Sequence, residues 1–237
     1  MLNQFIRYIH PTRFIVENKL ENILEVGSGT QGIGPYIRKR FVGLDSDFRD
    51  YSGEKIPLHQ HMIPIRALAW QLPFRDETFD CALCLDTLEH VEESRRNPVV
   101  SELIRVSKRH VILGFPSGAK AFECDEKLYK YYKRKRKEIP IWLEEHIRNG
   151  FPPQSAISDM LVKNGIGCVS TRNDNVTFHY INAILEQTKY VSILPYLIYR
   201  ISLLPLRHIR SIVLMEKIIS ILDGGESYRE ILYISKN

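Results

Sequence analysis

The sequence has few cysteines and no long apolar run. Its four cysteines are irregularly spaced along 237 residues, so they do not form the disulfide framework of a small secreted protein. Thirteen glycines and twelve prolines are too few for a collagen-like or low-complexity chain. No stretch reaches the roughly 20 nearly uncharged apolar residues that a membrane-spanning helix needs. Residues 1–20 interleave polar and apolar side chains, unlike a secretory signal. We therefore expect a cytoplasmic protein with free thiols.

The composition is that of a folded globular chain. Hydrophobic residues make up 44% and charged residues 26% of the sequence, which excludes intrinsic disorder. A chain of this length buries roughly 70% of its unfolded surface in a single domain. The net charge of +5 is mild and permits an anionic partner without requiring one.

Short apolar runs alternate with helical patterns along the first half of the chain. Runs typical of buried strands lie at 22–26, 41–45, 65–69, 78–85 and 110–115. Helical patterns lie at 32–39 and 95–107, and the second of these carries Pro98 in its first turn. The pattern of residues 1–20 predicts two short helices separated at Pro11. The alternation predicts parallel βαβ units in a Rossmann-like three-layer α/β sandwich.

The second half is richer in helical patterns, at 121–137, 142–149 and 155–164. Two further strands are predicted at 165–171 and 228–234, with an apolar helical insertion at 178–222 between them. Since no repeat or linker is evident, residues 1–237 are expected to be one domain. Prolines and an arginine interrupt the apolar stretch 191–206 of the insertion, so it is too short to span a bilayer. A lid, a homodimer interface and a lipid-facing surface in peripheral contact with a membrane remain open for it.

A glycine-rich loop follows the first predicted strand. Gly27, Gly29 and Gly32 lie between that strand and the next helical pattern, where missing Cβ atoms let a ligand approach free backbone N–H groups. Asp45 ends the second strand, and an acid there can accept hydrogen bonds from both hydroxyls of a ribose. Together these residues predict a nucleoside-binding crevice at the carboxyl ends of neighbouring strands.

The run GSGTQG at 27–32 also matches the fingerprint of dinucleotide-binding proteins. A nicotinamide-dependent oxidoreductase is therefore an alternative. Two features oppose it: Glu25 places a charge before the first glycine, and the spacing from Gly32 to Asp45 is short.

Four motifs follow one another in order: ExGxG at 25–29, GLD at 43–45, LPFRDETFD at 72–80 and LDTLEHV at 85–91. In this order the chain resembles the class I S-adenosylmethionine-dependent methyltransferases that carry LPFxDxxFD and LEHV signatures. The resemblance covers about residues 20–117. It implies a seven-stranded, mostly parallel sheet, S-adenosylmethionine as cofactor and methyl transfer as activity.

The resemblance also implies roles for the matching residues. Gly27 and Gly29 would let the loop pass close to the methionine moiety of the cofactor. Glu25 would lie near its ammonium group or order the loop. Asp45 would bind the ribose hydroxyls, and Asp86 would approach the methionine end.

The adenine would be flanked by Trp70, Gln71 and Leu72. Many relatives carry an acid just after the third strand to receive the adenine amino group, but this sequence has Leu68 there. Adenine would then depend on apolar walls and backbone groups, and we expect weaker affinity. A non-catalytic, methyltransferase-like binding module is consistent with this departure.

Two histidines are candidates for a catalytic base. A sulfonium methyl group is already electrophilic, so the protein must mainly align the acceptor and exclude water. A hydroxyl acceptor would also benefit from a base, and His90 and His146 are the candidates. The phrase WLEEH at 142–146, followed by GFPP at 150–153, resembles the acceptor-side segment of small-molecule and glycan-modifying members. Each histidine also has a structural interpretation, as a packed or a solvated side chain.

No metal site is predicted. Cys81 and Cys84 form a CxxC pattern inside a predicted strand, where this spacing directs them to opposite faces. His59 and His61 have no evident partner ligands nearby, so a polar loop accounts for them.

Seven basic residues and three tyrosines alternate in the tract 127–137. Cations can contact phosphate and tyrosines can stack on bases, so RNA methylation is one interpretation. The mild net charge instead favours an anionic small molecule or lipid headgroup. We therefore predict methyl transfer to a small acceptor, with a lipid or glycan intermediate as an open identity.

Overall fold

The computed structural model describes residues 2–37, 39–48, 57–186 and 225–236. Its strands are β1 (Ile23–Val26), β2 (Phe41–Asp45), β3 (Met62–Arg66), β4 (Phe79–Leu85), β5 (Ser107–Pro116), β6 (Cys168–Asn175) and β7 (Ser227–Ser235). Its helices are α1 (Leu2–Glu17), α2 (Glu93–Val106), α3 (Gly118–Arg134), α4 (Ile141–Asn149), α5 (Gln154–Lys163) and α6 (Val176–Glu186). A 3₁₀ turn covers Leu88–His90. None of these helices combines the length and apolar character needed to cross a membrane.

The described strands form one sheet in the order β3-β2-β1-β4-β5-β7-β6. Neighbours from β3 to β5 pair in parallel, whereas β7 runs antiparallel to both β5 and β6. The strand order reverses direction between β1 and β4, which is where ligands bind in open α/β sheets. The predicted α/β class and seven-stranded, mostly parallel sheet are confirmed.

Helices cover both faces of the sheet. Alternate residues of the central strands enter two separate cores, because successive side chains of a strand point to opposite faces. Cys84 packs with α2 and α5 on one face, and Cys81 packs with α1 on the other. Both thiols are buried and burial raises their pKa values, so they act as apolar core residues. The two cysteines of the CxxC pattern therefore do not share a site.

Several predicted element boundaries were wrong. Helix α1 is continuous across Pro11, because its apolar side chains Phe5, Ile9 and Ile15 are buried and bind it to the sheet. Helix α2 begins at Glu93, which places Pro98 in its second turn. The third strand begins at Met62 and ends at Arg66, earlier than predicted.

The helix predicted at 32–39 is absent from the described residues, which form consecutive turns there. The N–H group of Ile33 donates to the carboxylate of Glu25 on β1 instead of to a helical carbonyl. Gly32 has φ +48°, which also departs from helical geometry. Of the insertion predicted at 178–222, α6 forms the beginning, and the stretch 191–206 lies outside the described residues.

The buried side chain of Arg96 joins the 3₁₀ turn to the end of α4. Its Nε donates to the carbonyl oxygens of Leu88 and Val91, each at 3.1 Å. Its Nη2 donates to the carbonyl oxygens of Asn149 and Gly150 at 2.9 and 2.7 Å. One guanidinium group thus donates to four carbonyl oxygens at the ends of these two elements.

Replacing Arg96 with Ala should lower the free energy of unfolding by about 3 kcal/mol or more, since buried carbonyls lose a charged donor. Urea unfolding measures this difference. The matched control is Arg95→Ala on the same helix, whose exposed side chain lies over Trp70 and which should cost about 1 kcal/mol or less. Equal losses in the two variants would contradict the assigned role of Arg96.

Candidate cofactor and acceptor cleft

A cleft of about 1290 Å³ opens at the carboxyl ends of β1, β2 and β4. One part of its wall comes from the glycine loop and the ends of the neighbouring strands, at 27–32, 44–47 and 67–70. The other part comes from the segment after β4 and from α3, α4, α6 and β7, at 86–87, 89–92, 132, 141–142, 145–146, 179, 183 and 228. Of the residues predicted to hold the cofactor, the first part contains Gly27, Gly29, Asp45 and Trp70. The second part contains Asp86 and the two predicted histidines.

No residue other than glycine fits at position 27. Its φ is +75°, and a Cβ atom there would lie 2.0 Å from Oγ1 of Thr87. The loop therefore passes so close to the end of β4 that only glycine fits. Gly29 has φ +53° and lines the cleft, and a Cβ atom at this position would have no neighbouring atom within 4 Å. A ligand can therefore approach the backbone at this position.

Glu25 orders the glycine loop from below. Its buried carboxylate accepts hydrogen bonds from the hydroxyl of Tyr8 at 2.7 Å and the N–H group of Ile33 at 2.6 Å. Burial raises the pKa of Glu25 to about 7, against the opposing effect of these two hydrogen bonds. The side chain is not part of the cleft wall. Of the two roles predicted for Glu25, its contacts support the ordering of the loop.

Asp45 faces the glycine loop. Its Oδ2 accepts a hydrogen bond from the N–H group of Gly29 at 2.8 Å, and its Oδ1 accepts one from the N–H group of Asp47 at 3.1 Å. Asp45 lines the cleft. Its carboxylate thus lies between the tips of two adjacent strands.

The segment after β3 supplies a largely apolar wall. Ala67, Leu68, Ala69 and Trp70 line the cleft, and Leu68 is 42% exposed. The predicted adenine neighbours Gln71 and Leu72 differ from Trp70, because neither lines the cleft. Leu72 is buried in the core, where its N–H group donates to Glu102 at 2.7 Å. The apolar wall of the cleft thus begins before the predicted adenine neighbours, at Ala67.

Asp86 lies at the tip of β4 between two arginines. Its carboxylate accepts hydrogen bonds from Nε and Nη2 of Arg229 at 2.5 and 2.6 Å, and it lies 2.8 Å from Nη2 of Arg7. Burial alone would raise the pKa of Asp86, but the two cations outweigh it and hold this pKa well below its usual range. The backbone of Asp86 has φ +47°, a costly conformation for a residue other than glycine. Asp86 was predicted from the sequence, whereas neither arginine was.

The predicted histidines lie together in the second part of the cleft wall. The ring centroids of His90 and His146 are 4.9 Å apart. Nδ1 of His90 lies 2.7 Å from Oε2 of Glu145, and Nδ1 of His146 lies 2.7 Å from Oδ2 of Asp125. The hydroxyl of Tyr228 also donates to Asp125, at 3.0 Å. Asp125, Tyr228 and Glu89 were not predicted from the sequence, although the LEHV motif contains Glu89.

The central part of the chain matches a known family model. Residues 24–115 match the model described as a methyltransferase domain, and this range contains the glycine loop, Asp45 and Asp86. The sheet order and the position of the cleft agree with that match. This match and the fold support the class I S-adenosylmethionine-dependent methyltransferase family predicted from the sequence. The glycine cradle and the carboxylate of Asp45 fit S-adenosylmethionine, the predicted cofactor.

Solved structures share the fold of the methyltransferase domain. Magnesium protoporphyrin IX methyltransferase from Synechocystis PCC 6803, with bound S-adenosylhomocysteine, is 12% identical over 99% of this chain and 83% of its own, with a TM-score of 0.55. Phosphoethanolamine N-methyltransferase 2 from Haemonchus contortus, in complex with S-adenosylmethionine, is 11% identical over 96% of this chain and 52% of its own, with a TM-score of 0.53. A methyltransferase from Thermotoga maritima is 14% identical over 99% and 96%, with a TM-score of 0.50. No curated protein sequence matches the chain.

Replacing Asp45 with Ala should weaken S-adenosylhomocysteine binding by about 1–3 kcal/mol, or roughly 5- to 150-fold in Kd, because the ribose loses its acceptor. Asp45→Asn keeps one acceptor oxygen and should lose less. Isothermal titration calorimetry measures both. Asp76→Ala is the control, because this exposed carboxylate is paired with Arg105 outside the cleft. Unchanged affinity in Asp45→Ala would contradict the ribose assignment.

Proposed function

We propose that the methyltransferase domain transfers a methyl group to an oxygen atom of a small acceptor. The cofactor supplies an electrophilic methyl group, so the protein has to orient the acceptor, exclude water and receive a proton. The observation that carries the proposal is the pair of carboxylate-supported histidines, His90 and His146, in the wall of the cleft beyond Asp86.

His146 has the geometry of a base. Asp125 holds its Nδ1, and its Nε2 has no hydrogen-bond partner among the described residues although the ring is only 5% exposed. An imidazole oriented by a carboxylate through one nitrogen can take a proton through the other. A hydroxyl acceptor loses a proton on methylation and therefore makes use of such a group.

His90 supports the same end of the cleft. Burial would lower its pKa, but the hydrogen bond to Glu145 and the charge of Glu89 outweigh burial and raise it. The raised pKa favours the protonated form of His90 relative to an ordinary histidine. Such a cation can hold an anionic acceptor group beside His146.

The size and walls of the cleft favour a small acceptor. Sites for one drug-sized ligand have volumes of roughly 300–1,000 Å³, and this cleft of about 1290 Å³ exceeds that range. It therefore has room for the cofactor with a small molecule beside it. Tyr132, Ile141, Trp142 and Ala183 give the acceptor part an aromatic and aliphatic lining. Two of the similar structures are named for small acceptors, magnesium protoporphyrin IX and phosphoethanolamine.

A basic groove favours a second candidate function, RNA methylation. It has a volume of about 490 Å³ and lies between α3 and α6, where Lys127, Lys130 and Arg134 line it together with Tyr131 and Tyr180. Cations interleaved with aromatic rings suit a nucleic-acid strand. The same cations suit an anionic group of a small acceptor. The mild net charge of the chain favours this small-acceptor interpretation over RNA.

Methyl transfer can be tested with isotopically labelled S-adenosylmethionine and a fractionated cell extract. We expect label in the low-mass fraction, bound to oxygen as shown by mass analysis of the product. His146→Asn should reduce turnover by at least about 100-fold while leaving S-adenosylhomocysteine affinity unchanged. The matched control His110→Asn, at a half-buried histidine of β5 outside the cleft, should retain turnover.

Two outcomes would contradict the proposal. Label in a ribonuclease-sensitive fraction would favour the RNA alternative. Full activity of His146→Asn would show that this histidine does not receive the proton.

A further inference from the structure

The carboxylate of Glu89 is buried in the wall of the cleft. It is 0% exposed, and neither of its oxygen atoms has a hydrogen-bond partner among the described residues. Burial and the neighbouring charge of Asp86 raise its pKa. A carboxylate desolvated in this way is costly unless a cation or donor compensates it.

Two imidazoles lie beside this carboxylate. Nε2 of His146 is 3.8 Å from Oε1 of Glu89, which is too long for a hydrogen bond. One potential ligand atom each from Glu89, His90 and His146 lies within 4.8 Å of the others. Ligand atoms about 2.1 Å from a shared metal ion lie roughly 3–3.5 Å apart, so a small inward movement would bring these atoms around one ion.

Further carboxylates orient both imidazoles. Asp125 engages Nδ1 of His146, and Glu145 engages Nδ1 of His90, each at 2.7 Å. Histidines that ligate metal ions almost always carry such a partner on the other ring nitrogen, which fixes the ring and raises its basicity. The cluster thus has the outer partners of a metal site as well as its ligands.

We propose that Glu89, His90 and His146 bind one divalent transition-metal ion. Two imidazoles and one carboxylate suit ions of the Mn²⁺ to Zn²⁺ series, whereas Mg²⁺ and Ca²⁺ prefer oxygen ligands. Three protein ligands leave coordination positions open, and all three residues line the cleft. The site was not predicted from the sequence, because only its first two residues are adjacent there.

A metal ion at this position would act on the acceptor. It would compensate the charge of Glu89 and lower the pKa of a hydroxyl bound in an open coordination position. In the metal-bound form the imidazoles would act as ligands in place of the base and cation roles proposed above, and the proton of the metal-bound hydroxyl would pass to solvent water. This role depends on the proposed oxygen acceptor, whereas metal binding itself does not.

The test is a titration of the full-length, tag-free protein with Co²⁺, followed by visible absorption, without cofactor or acceptor. We expect one equivalent to bind and to raise the thermal unfolding temperature. Glu89→Gln preserves shape but removes the charge, and it should bind Co²⁺ at least about 100-fold more weakly while the metal-free protein stays folded. Asp125→Asn removes only an outer partner and should cost about 10- to 100-fold in affinity.

His61→Gln is the control for surface binding, because the rings of His59 and His61 lie 5.5 Å apart outside the cleft. It should bind Co²⁺ as the wild type does. A wild-type protein that binds no Co²⁺, or binding lost in His61→Gln and retained in Glu89→Gln and Asp125→Asn, would overturn the proposal. Since no methyl transfer is measured, neither result depends on the proposed function.

Discussion

The carboxylate of Asp86 is the charge around which the site is organised. Arg7 comes from α1 and Arg229 from β7, so one anion at the tip of β4 ties three separate elements together. Arg229 is fully buried, and a buried ion pair that lost one member would leave an unpaired charge in the core. The two ion pairs of Asp86 therefore hold α1 and β7 against the tip of β4 at the wall of the cleft. The strained backbone of Asp86 is consistent with this constraint.

The two ends of the cleft differ in how their charges are compensated. At the cofactor end, Glu25 and Asp45 each accept two hydrogen bonds and hold a preformed loop. At the acceptor end, Glu89 and Nε2 of His146 lack hydrogen-bond partners among the described residues. Natural cores seldom leave such groups unpaired without a functional reason. The cofactor end is thus complete without a ligand, while the acceptor end is arranged to receive one.

Local patterns in the sequence were sufficient to predict the seven strands of the sheet, although not all of their bounds. The strand FVGLD was predicted with its observed bounds, and the glycine loop was placed correctly because its motif is local. The helix predicted at 32–39 was wrong, because a side chain on β1 captures a backbone N–H group and no local rule contains that contact. Tertiary packing likewise keeps α1 continuous across Pro11.

The acceptor side was harder to predict for a related reason. Arg229 is 143 residues from Asp86 in the sequence, and within its strand it looks like an ordinary polar residue. His90 and His146 could be selected by residue type, but Asp125 and Tyr228 become relevant only after α3 and β7 pack together. A site whose residues come from distant segments of the chain can be recognised only once the fold is known.

The central claim is that one cleft holds the cofactor between the strand tips of β1, β2 and β4. A crystal structure of the protein with S-adenosylhomocysteine tests it most directly. The account predicts ribose hydroxyls bonded to Asp45, adenine beside Ala67–Trp70, and the sulfur directed towards Asp86 and the histidines. A ligand bound outside this cleft, or in it with the ribose away from Asp45, would contradict the account.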